Sequence, residues 1–420
     1  MGRTRNTLRE SIDYSFLNGI SDAVVKALTS GPLLTAYAVG IGVSNLSVGF
    51  LQSILPFSNL IHLVVAGELE KGKSPRKIAW ISSLLARPFL LLVALAVFFQ
   101  GTDFGFTLFV VPYFLSYFIA AITGGAFWPW CKELVPHQLM TSFFARRIQF
   151  IVLTKMVTVL LATFIIYLVH KYIASYELYC YSIFFILAFF AGLYCTYALY
   201  KVEDVKLKRA PETPFLEKVK IAIKNKSFLY LLLGLGMANF VLAFYTSFNI
   251  VFLLKSIKLS VPLVMCFTIF SNVVDIWTTP RWSKYSKKNS TPKMLGFASI
   301  IFIASVIIFL GLSIHPISDT LKLFIILFFA AILVGIGNSG YNLGVNDAAV
   351  SYVPKKMSSV YISLVNICRF GATGSGACFG GIILSIVGKY DCKWTIFFIV
   401  GILLFLLTRA IARNIAPVNE

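Results

Sequence analysis

Residues 67–74 read GELEKGKS and match the phosphate-binding pattern G-x-x-x-x-G-K-[ST]. In that pattern, backbone N–H groups and the lysine hold phosphates, and the hydroxyl holds Mg²⁺. Lys73 and Ser74 would take these roles here. The pattern functions only between a strand and a helix, inside a soluble α/β domain of about 100–150 residues. The rest of the chain must therefore supply such a domain before an ATPase is predicted.

A second set of residues with potential chemistry lies in apolar surroundings. Asn18, Asp22, Lys26 and Thr29 are spaced by four, four and three positions, so a helix would present all of them on one face. A second row, at the same four-residue spacing, contains only amides: Asn338, Asn342 and Asn346. Ionisable groups in apolar segments need a partner, a wet cavity or a function. Each row therefore has two open interpretations, structural pairing or ligand contact.

The composition excludes a soluble domain around the phosphate-type pattern. The 420 residues are 58% apolar and 13% charged, whereas soluble domains are about 45–50% apolar and about 25% charged. The mean hydropathy is +0.83. Because a helix of about 20 apolar residues crosses a bilayer, the recurring apolar stretches predict a polytopic membrane protein. GELEKGKS is therefore interpreted as a chance match, and no enzyme, cofactor or metal site is predicted. The seven cysteines form no C-x-x-C pair.

The elements that position these residues are twelve predicted membrane spans. They cover 16–41, 43–66, 78–100, 105–131, 149–170, 177–200, 227–254, 260–281, 293–313, 321–350, 357–388 and 393–413. With both termini in the cytoplasm, 27 of the 37 lysines and arginines fall on the inner side and six on the outer side. Since positive loops stay cytoplasmic, this asymmetry predicts cytoplasmic termini. It also explains the net charge of +20 without nucleic acid.

The chain divides into two similar halves. SPRK at 74–77 and TPKM at 291–294 are 217 positions apart, while LVPHQ at 134–138 and YVPKK at 352–356 are 218 apart. This repeat predicts two pseudo-symmetric six-helix bundles in an all-α membrane protein. The boundaries are a cytoplasmic N-terminal tail 1–15, a first bundle 16–200, a basic cytoplasmic linker 201–226, a second bundle 227–413 and a cytoplasmic tail 414–420.

This architecture, with its short basic loop after span two, resembles the major facilitator superfamily of the bacterial type. That family carries the pattern G-x-L-x-D-R-x-G-R-R/K in the loop, which governs conformational change. Here the residues assigned to this loop motif are Gly67, Leu69, Arg76 and Lys77, with Lys71 where the family has Asp. The resemblance implies two bundles that rock about a central solute site.

The resemblance also implies which polar faces line that site. The implied solute-binding residues are Lys26, Lys155, Asn338, Asn342, Asn346, Asn366 and Arg369. The implied proton-coupling residues are Asp22, Asp275 and Asp347, because a buried carboxylate can carry a proton. For Lys155 the structural and functional interpretations are equally open. Arg87, followed by Pro88 on the peripheral span three, is interpreted as structural.

Together these features predict a secondary active transporter, with a proton-coupled symporter of an anionic or zwitterionic metabolite as the favoured type. Span five lacks the Gly/Pro motif of the family's drug exporters, which favours uptake. An efflux pump for amphipathic compounds, a lipid translocator and a membrane sensor or scaffold with a transporter fold remain alternatives. The expected partners are the solute, a proton and the lipid bilayer of the inner membrane, and a monomer is expected.

Overall fold

The structure, a computed structural model, describes residues 5–135, 137–205, 223–289, 291–315, 319–351, 358–389 and 392–412. In these ranges all regular secondary structure is helical. The predicted repeat anchor at 352–356 lies outside them. So do most of the predicted linker and all of the predicted C-terminal tail.

Fifteen α-helices follow one another along the described parts of the chain. They are α1 (Arg5–Thr29), α2 (Gly31–Ile41), α3 (Asn45–Ser58), α4 (His62–Glu70), α5 (Pro75–Ala86), α6 (Pro88–Leu95), α7 (Asp103–Leu134), α8 (His137–Tyr172), α9 (Glu177–Lys201), α10 (Lys226–Lys255), α11 (Val261–Asn289), α12 (Thr291–Ile314), α13 (Thr320–Ser351), α14 (Ser358–Ile386) and α15 (Lys393–Ala412).

Eleven helical segments among the described residues are long and apolar enough to cross a membrane, and a shorter apolar helix covers Leu46–Ile61. The prediction of an all-α, multi-pass membrane protein is confirmed. Three predicted spans are interrupted. The first breaks at Ser30, where Gly31 has φ +63° and Pro32 follows. The third breaks before Pro88, and the second passes through a short 3-10 turn at Asn59–Ile61. Proline and glycine account for the breaks in spans one and three, because they disrupt the helical hydrogen-bond ladder.

The described chain forms two compact units. The first comprises residues 1–44 and 57–211, and the second comprises 45–56 and 212–420. In the first unit α1 packs against α8 and α9, and α7 packs against α5 and α6. The first part of α3 belongs to the second unit. Its Gly49 allows close backbone approach, since a Cβ there would lie 2.7 Å from the carbonyl oxygen of Ala377 in α14.

The core of the second unit is aromatic. Helix α10 packs against α14 and α15, and α13 packs against α11 and α12. Phe244 of α10 stacks on Phe397 of α15 with ring centroids 4.3 Å apart, and Phe302 of α12 stacks on Phe405 at 5.1 Å. All four rings are fully buried. Because lipid offers no hydrophobic driving force between helices, such close packing has to hold them together.

Candidate functional site

The polar face of α1 is the first part of the candidate site. The Lys26 ammonium lies 2.7 Å from a carboxylate oxygen of Asp22, one helical turn away. Their side chains are 41% and 34% exposed, so the protein encloses neither of them fully. Asn18 and Thr29, at the two ends of this row, are buried. The predicted row therefore lies on one helix, and its two charged members pair with each other while both stay partly exposed.

Arg87 extends the charged group from α1 to the α5–α6 break. Its Nη2 atom lies 4.0 Å from Asp22 and donates a hydrogen bond to the Ser83 hydroxyl at 3.2 Å. The side chain is only 4% exposed. Gly192 of α9 provides the space, because a Cβ at that position would lie 2.5 Å from the Arg87 Cδ. Arg87, which was interpreted as structural, lies beside the Asp22–Lys26 pair.

Arg147 is a buried cation on α8 that the sequence prediction missed. Its Nη2 donates to the Asn18 side-chain oxygen at 3.1 Å, and its Nε donates to the Ser15 carbonyl oxygen at 3.3 Å. The guanidinium also lies over the Phe127 ring, 4.4 Å from its centroid. The predicted span five began at 149, which left Arg147 in a cytoplasmic loop. Helix α8 begins at His137 instead and carries Arg147 against α1.

Lys155 completes the group, two turns further along α8. Its side chain is exposed and lies on the same helix as Arg147. We call Asp22, Lys26, Arg87, Arg147 and Lys155 the α1 cluster. Among the described residues, Asp22 is the one carboxylate that forms an ion pair with any of these four cations, at 2.7 Å from Lys26 and 4.0 Å from Arg87. The α1 cluster therefore carries an excess of positive charge.

The amide row of α13 divides between two partners in the second unit. The Asn338 amide donates to the Asp275 carboxylate of α11 at 2.7 Å. Asn346, two turns later, accepts a hydrogen bond from Arg369 of α14 at 3.0 Å. Asn342, between them, is exposed, and Asn366 is half-buried on α14. The predicted polar residues of α11, α13 and α14 thus form two separate contacts.

Asp275 and Asp347 have different surroundings. Asp275 is half-buried, and its described hydrogen-bond donors are the neutral side chains of Asn338 and Thr279. Asp347 lies near the end of α13 and accepts hydrogen bonds from Ser286 of α11 and Thr291 at the start of α12. Its contacts therefore hold the turn between α11 and α12.

The loop between α4 and α5 contains the phosphate-type pattern, and its polar groups are already bonded. Glu68 pairs with Lys71 at 2.6 Å and also with Lys73. Hydrogen bonds from these two lysines lower the pKa of Glu68 to about 2. The Ser74 hydroxyl accepts from the Lys77 backbone N–H at 3.1 Å, which caps α5, and donates to Asp204 at 2.6 Å. The pattern thus spans a helix–turn–helix with no preceding strand, and Lys73 and Ser74 have protein partners.

Other residues of this loop attach it to α9 and to the core. Arg76 donates to the Tyr200 carbonyl oxygen and lies over its ring, 4.9 Å from the centroid. Leu69 is buried, while Gly67 and Lys77 are exposed. Gly72 has φ +86°, a left-handed conformation that glycine adopts without strain. Glycine at this position therefore permits the turn.

The family assignment comes from a sequence model described as the Major Facilitator Superfamily, which matches residues 15–375. The chain belongs to the major facilitator superfamily. As a member of this superfamily it is a membrane transporter and not an enzyme. The resemblance drawn from the loop and the span pattern is confirmed. No curated protein sequence matches the chain.

Solved structures of major facilitator transporters share the fold at low sequence identity. A point mutant of the nucleoside transporter NupG has a TM-score of 0.76 and 10% identity, covering 97% of this chain and 100% of that chain. A bacterial homologue of the human lysosomal transporter Spinster has 0.69 and 13%, covering 99% and 98%. A D-xylose–proton symporter has 0.67 and 12%, covering 95% and 96%. At these identities the similarity establishes the fold.

Proposed function

We propose that this major facilitator protein takes up a small anionic or zwitterionic solute by alternating access, coupled to protons. The observation that carries the proposal is the charge of the α1 cluster, four cations around one carboxylate that pairs with Lys26 and Arg87. The superfamily membership supports transport in general. The charge of the solute and the direction of its transport are our inference.

The physical argument starts from the cost of buried charge. Arg87 and Arg147 are 4% and 8% exposed, and Asp22 already interacts with Lys26. Burying a cation without a counter-ion costs several kcal/mol (on the order of 3–5 for a broken buried pair). A carboxylate or phosphate group on the solute would offset that cost and accept charge-assisted hydrogen bonds from Lys or Arg. The α1 cluster therefore favours an anion over a neutral or cationic solute.

Asp275 is the proton carrier that we favour among the three predicted carboxylates. Asp22 has Lys26 as a close counter-ion, and Asp347 holds a turn. The described partners of Asp275 are a neutral amide and a neutral hydroxyl. Taking up a proton there breaks no ion pair with a described residue. A structurally similar protein, the D-xylose–proton symporter, uses proton coupling on the same fold.

The experiment is a thermal-shift screen of the detergent-purified protein. The panel contains dicarboxylates, sugar phosphates, amino acids, nucleotides, lipophilic cations, and the neutral solutes uridine and D-xylose. We expect an anionic or zwitterionic compound to raise Tm. We expect Arg147→Met and Lys26→Met to weaken that binding about tenfold or more, as for hydrogen bonds to charged groups. Lys284→Met is the control, because Lys284 is an exposed lysine at the end of α11 in the other unit.

Two outcomes would contradict the proposal. Stabilisation by lipophilic cations alone would replace uptake of an anion with efflux of amphipathic compounds. Stabilisation by neutral solutes, undiminished in both variants, would remove the α1 cluster from solute binding. Because Arg147→Met also removes contacts to Ser15 and Asn18, Arg147→Lys is included. This variant retains the positive charge. If the ligand still raises its Tm, the loss seen in Arg147→Met comes from lost binding and not from lost folding.

A further inference from the structure

A groove between α5 and α7 lies in the first unit, and none of its lining residues belongs to the α1 cluster. Its volume is about 600 Å³, within the range of roughly 300–1,000 Å³ typical of ligand sites. The groove begins at the α4–α5 loop and follows α5 from Lys77 to Leu85. Neither solute binding nor proton coupling, as proposed above, uses it.

Apart from Ser82, the walls of the groove along the two helices are apolar. Ile78, Ile81 and Leu85 line it from α5, and Ile119 and Ile122 line it from α7. The three α5 residues recur at three- and four-residue spacing, so they form one face of the helix. Ile81 and Leu85 remain 42% and 57% exposed. In a membrane-spanning segment, such an exposed apolar face is a surface for hydrocarbon chains rather than for water.

The loop end of the groove is polar and positively charged. Lys73, Ser74 and Lys77 line it there. The Ser74 hydroxyl donates a hydrogen bond to Asp204, and the Lys73 ammonium forms an ion pair with Glu68. Lys77 is exposed, and its ammonium forms no hydrogen bond or ion pair with any residue in the described ranges. One lysine thus remains available where the apolar groove meets the end of the helix.

We propose that this groove binds an anionic phospholipid, with the headgroup phosphate on Lys77 and an acyl chain along α5 and α7. The argument is charge complementarity combined with position. A lysine at the membrane surface attracts an anionic lipid with about 1 kcal/mol, and the exposed isoleucine and leucine side chains continue from it along the span. The site brings a lipid against the loop that carries Gly67, Leu69, Arg76 and Lys77.

The test measures lipid binding to the full-length protein after delipidation in detergent, by native mass spectrometry. The probes are dioleoyl phosphatidylglycerol, dioleoyl phosphatidylcholine and glycerol 3-phosphate. We expect phosphatidylglycerol to bind more tightly than phosphatidylcholine. We expect Lys77→Gln to lower its affinity about fivefold, which corresponds to about 1 kcal/mol. Lys284→Gln removes the same charge outside the groove and should leave the affinity unchanged.

A second pair of variants tests the apolar wall. Leu85→Ala removes a groove-lining side chain, whereas Leu84→Ala removes a neighbouring leucine that is 42% exposed outside the groove. We expect only Leu85→Ala to weaken phosphatidylglycerol binding. Since both leucines are exposed, neither change should prevent folding.

Three outcomes would overturn the proposal. Equal binding of the two phospholipids would remove the role of the headgroup charge, and equal effects of Lys77→Gln and Lys284→Gln would remove Lys77 from the site. Binding of glycerol 3-phosphate as tight as that of phosphatidylglycerol would show a site for a free phosphate, with no part for the acyl chain.

Discussion

Asp275 on α11 is a half-buried carboxylate within a membrane-spanning helix. Its oxygens accept from the Asn338 amide at 2.7 Å and from the Thr279 hydroxyl at 3.4 Å. A carboxylate in a span is costly unless it is paired or used. The partners of Asp275 among the described residues are neutral, so its carboxylate can take up a proton without breaking an ion pair with them. Carrying a proton is therefore the role that fits this residue.

At the residue scale we therefore predict that Asp275→Asn separates exchange from accumulation. The amide oxygen can still accept from Asn338, so the local structure should persist, but the amide cannot take up a proton. In proteoliposomes with the solute identified by the thermal-shift panel, we expect proton-driven accumulation to fall about tenfold or more. Exchange of internal for external solute should continue.

The control for this variant is Asp319→Asn, at the exposed start of α13, where the side chain caps the Leu321 N–H at 3.0 Å. It should accumulate solute normally. Unchanged accumulation in Asp275→Asn would show that another group carries the proton, with Asp22 the next candidate.

At the scale of elements, the contact of α9 with the α5–α6 break determines where Arg87 lies. Gly192 permits this contact, because an added Cβ would lie 2.5 Å from Arg87 Cδ and 2.8 Å from Nε. A hydrogen bond of 2.7 Å between Ser83 and Thr196 holds the same two elements together. Small residues at helix interfaces allow such close approach in membranes.

We predict that Gly192→Ala displaces Arg87 and lowers the free energy of unfolding by about 1–3 kcal/mol, as for overpacked cores. Thermal unfolding in detergent measures the stability, and the thermal shift with the anionic ligand should also decrease. Gly311→Ala on α12 is the matched control, because no atom lies within 4 Å of an added Cβ there. Wild-type stability and ligand shift in Gly192→Ala would mean that the Arg87 side chain is free to move without consequence.

At the scale of the whole molecule, charge distribution predicts the orientation in the membrane. In the predicted topology, 27 of the 37 lysines and arginines fall in tails, loops and adjoining span ends on the same side as the termini, or 26 without Arg147, which α8 holds against α1. Loops rich in lysine and arginine remain in the cytoplasm during insertion. The basic α4–α5 loop, and with it the proposed lipid-binding groove between α5 and α7, would then face the cytoplasmic leaflet.

We predict that both termini are cytoplasmic, which reporter fusions in a bacterial host can measure. Green fluorescent protein fused after Glu420 should fluoresce, and alkaline phosphatase fused at the same point should be inactive. Phosphatase fused after Thr102, in the turn before α7, should be active. The opposite pattern at these two points would invert the topology.

The sequence was sufficient for the features that depend on local composition. Apolar stretches of membrane-spanning length predicted the all-helical, multi-pass fold, because the bilayer requires every backbone group to be bonded within its own helix. The spacing of Asn18, Asp22, Lys26 and Thr29 likewise predicted a shared helical face, since 3.6 residues per turn bring such positions into line. The short loop after the second span indicated the superfamily.

The tertiary structure was needed wherever a residue depends on a distant partner. Arg147 contacts Ser15 and Asn18 across more than 100 positions of sequence, and this follows only because α8 begins early and packs on α1. Arg87 approaches Asp22 because Gly192 of a third helix leaves room for it. Span hydropathy and helical spacing describe one helix at a time. Which charges meet is decided by the packing between helices, and that packing assembles the α1 cluster.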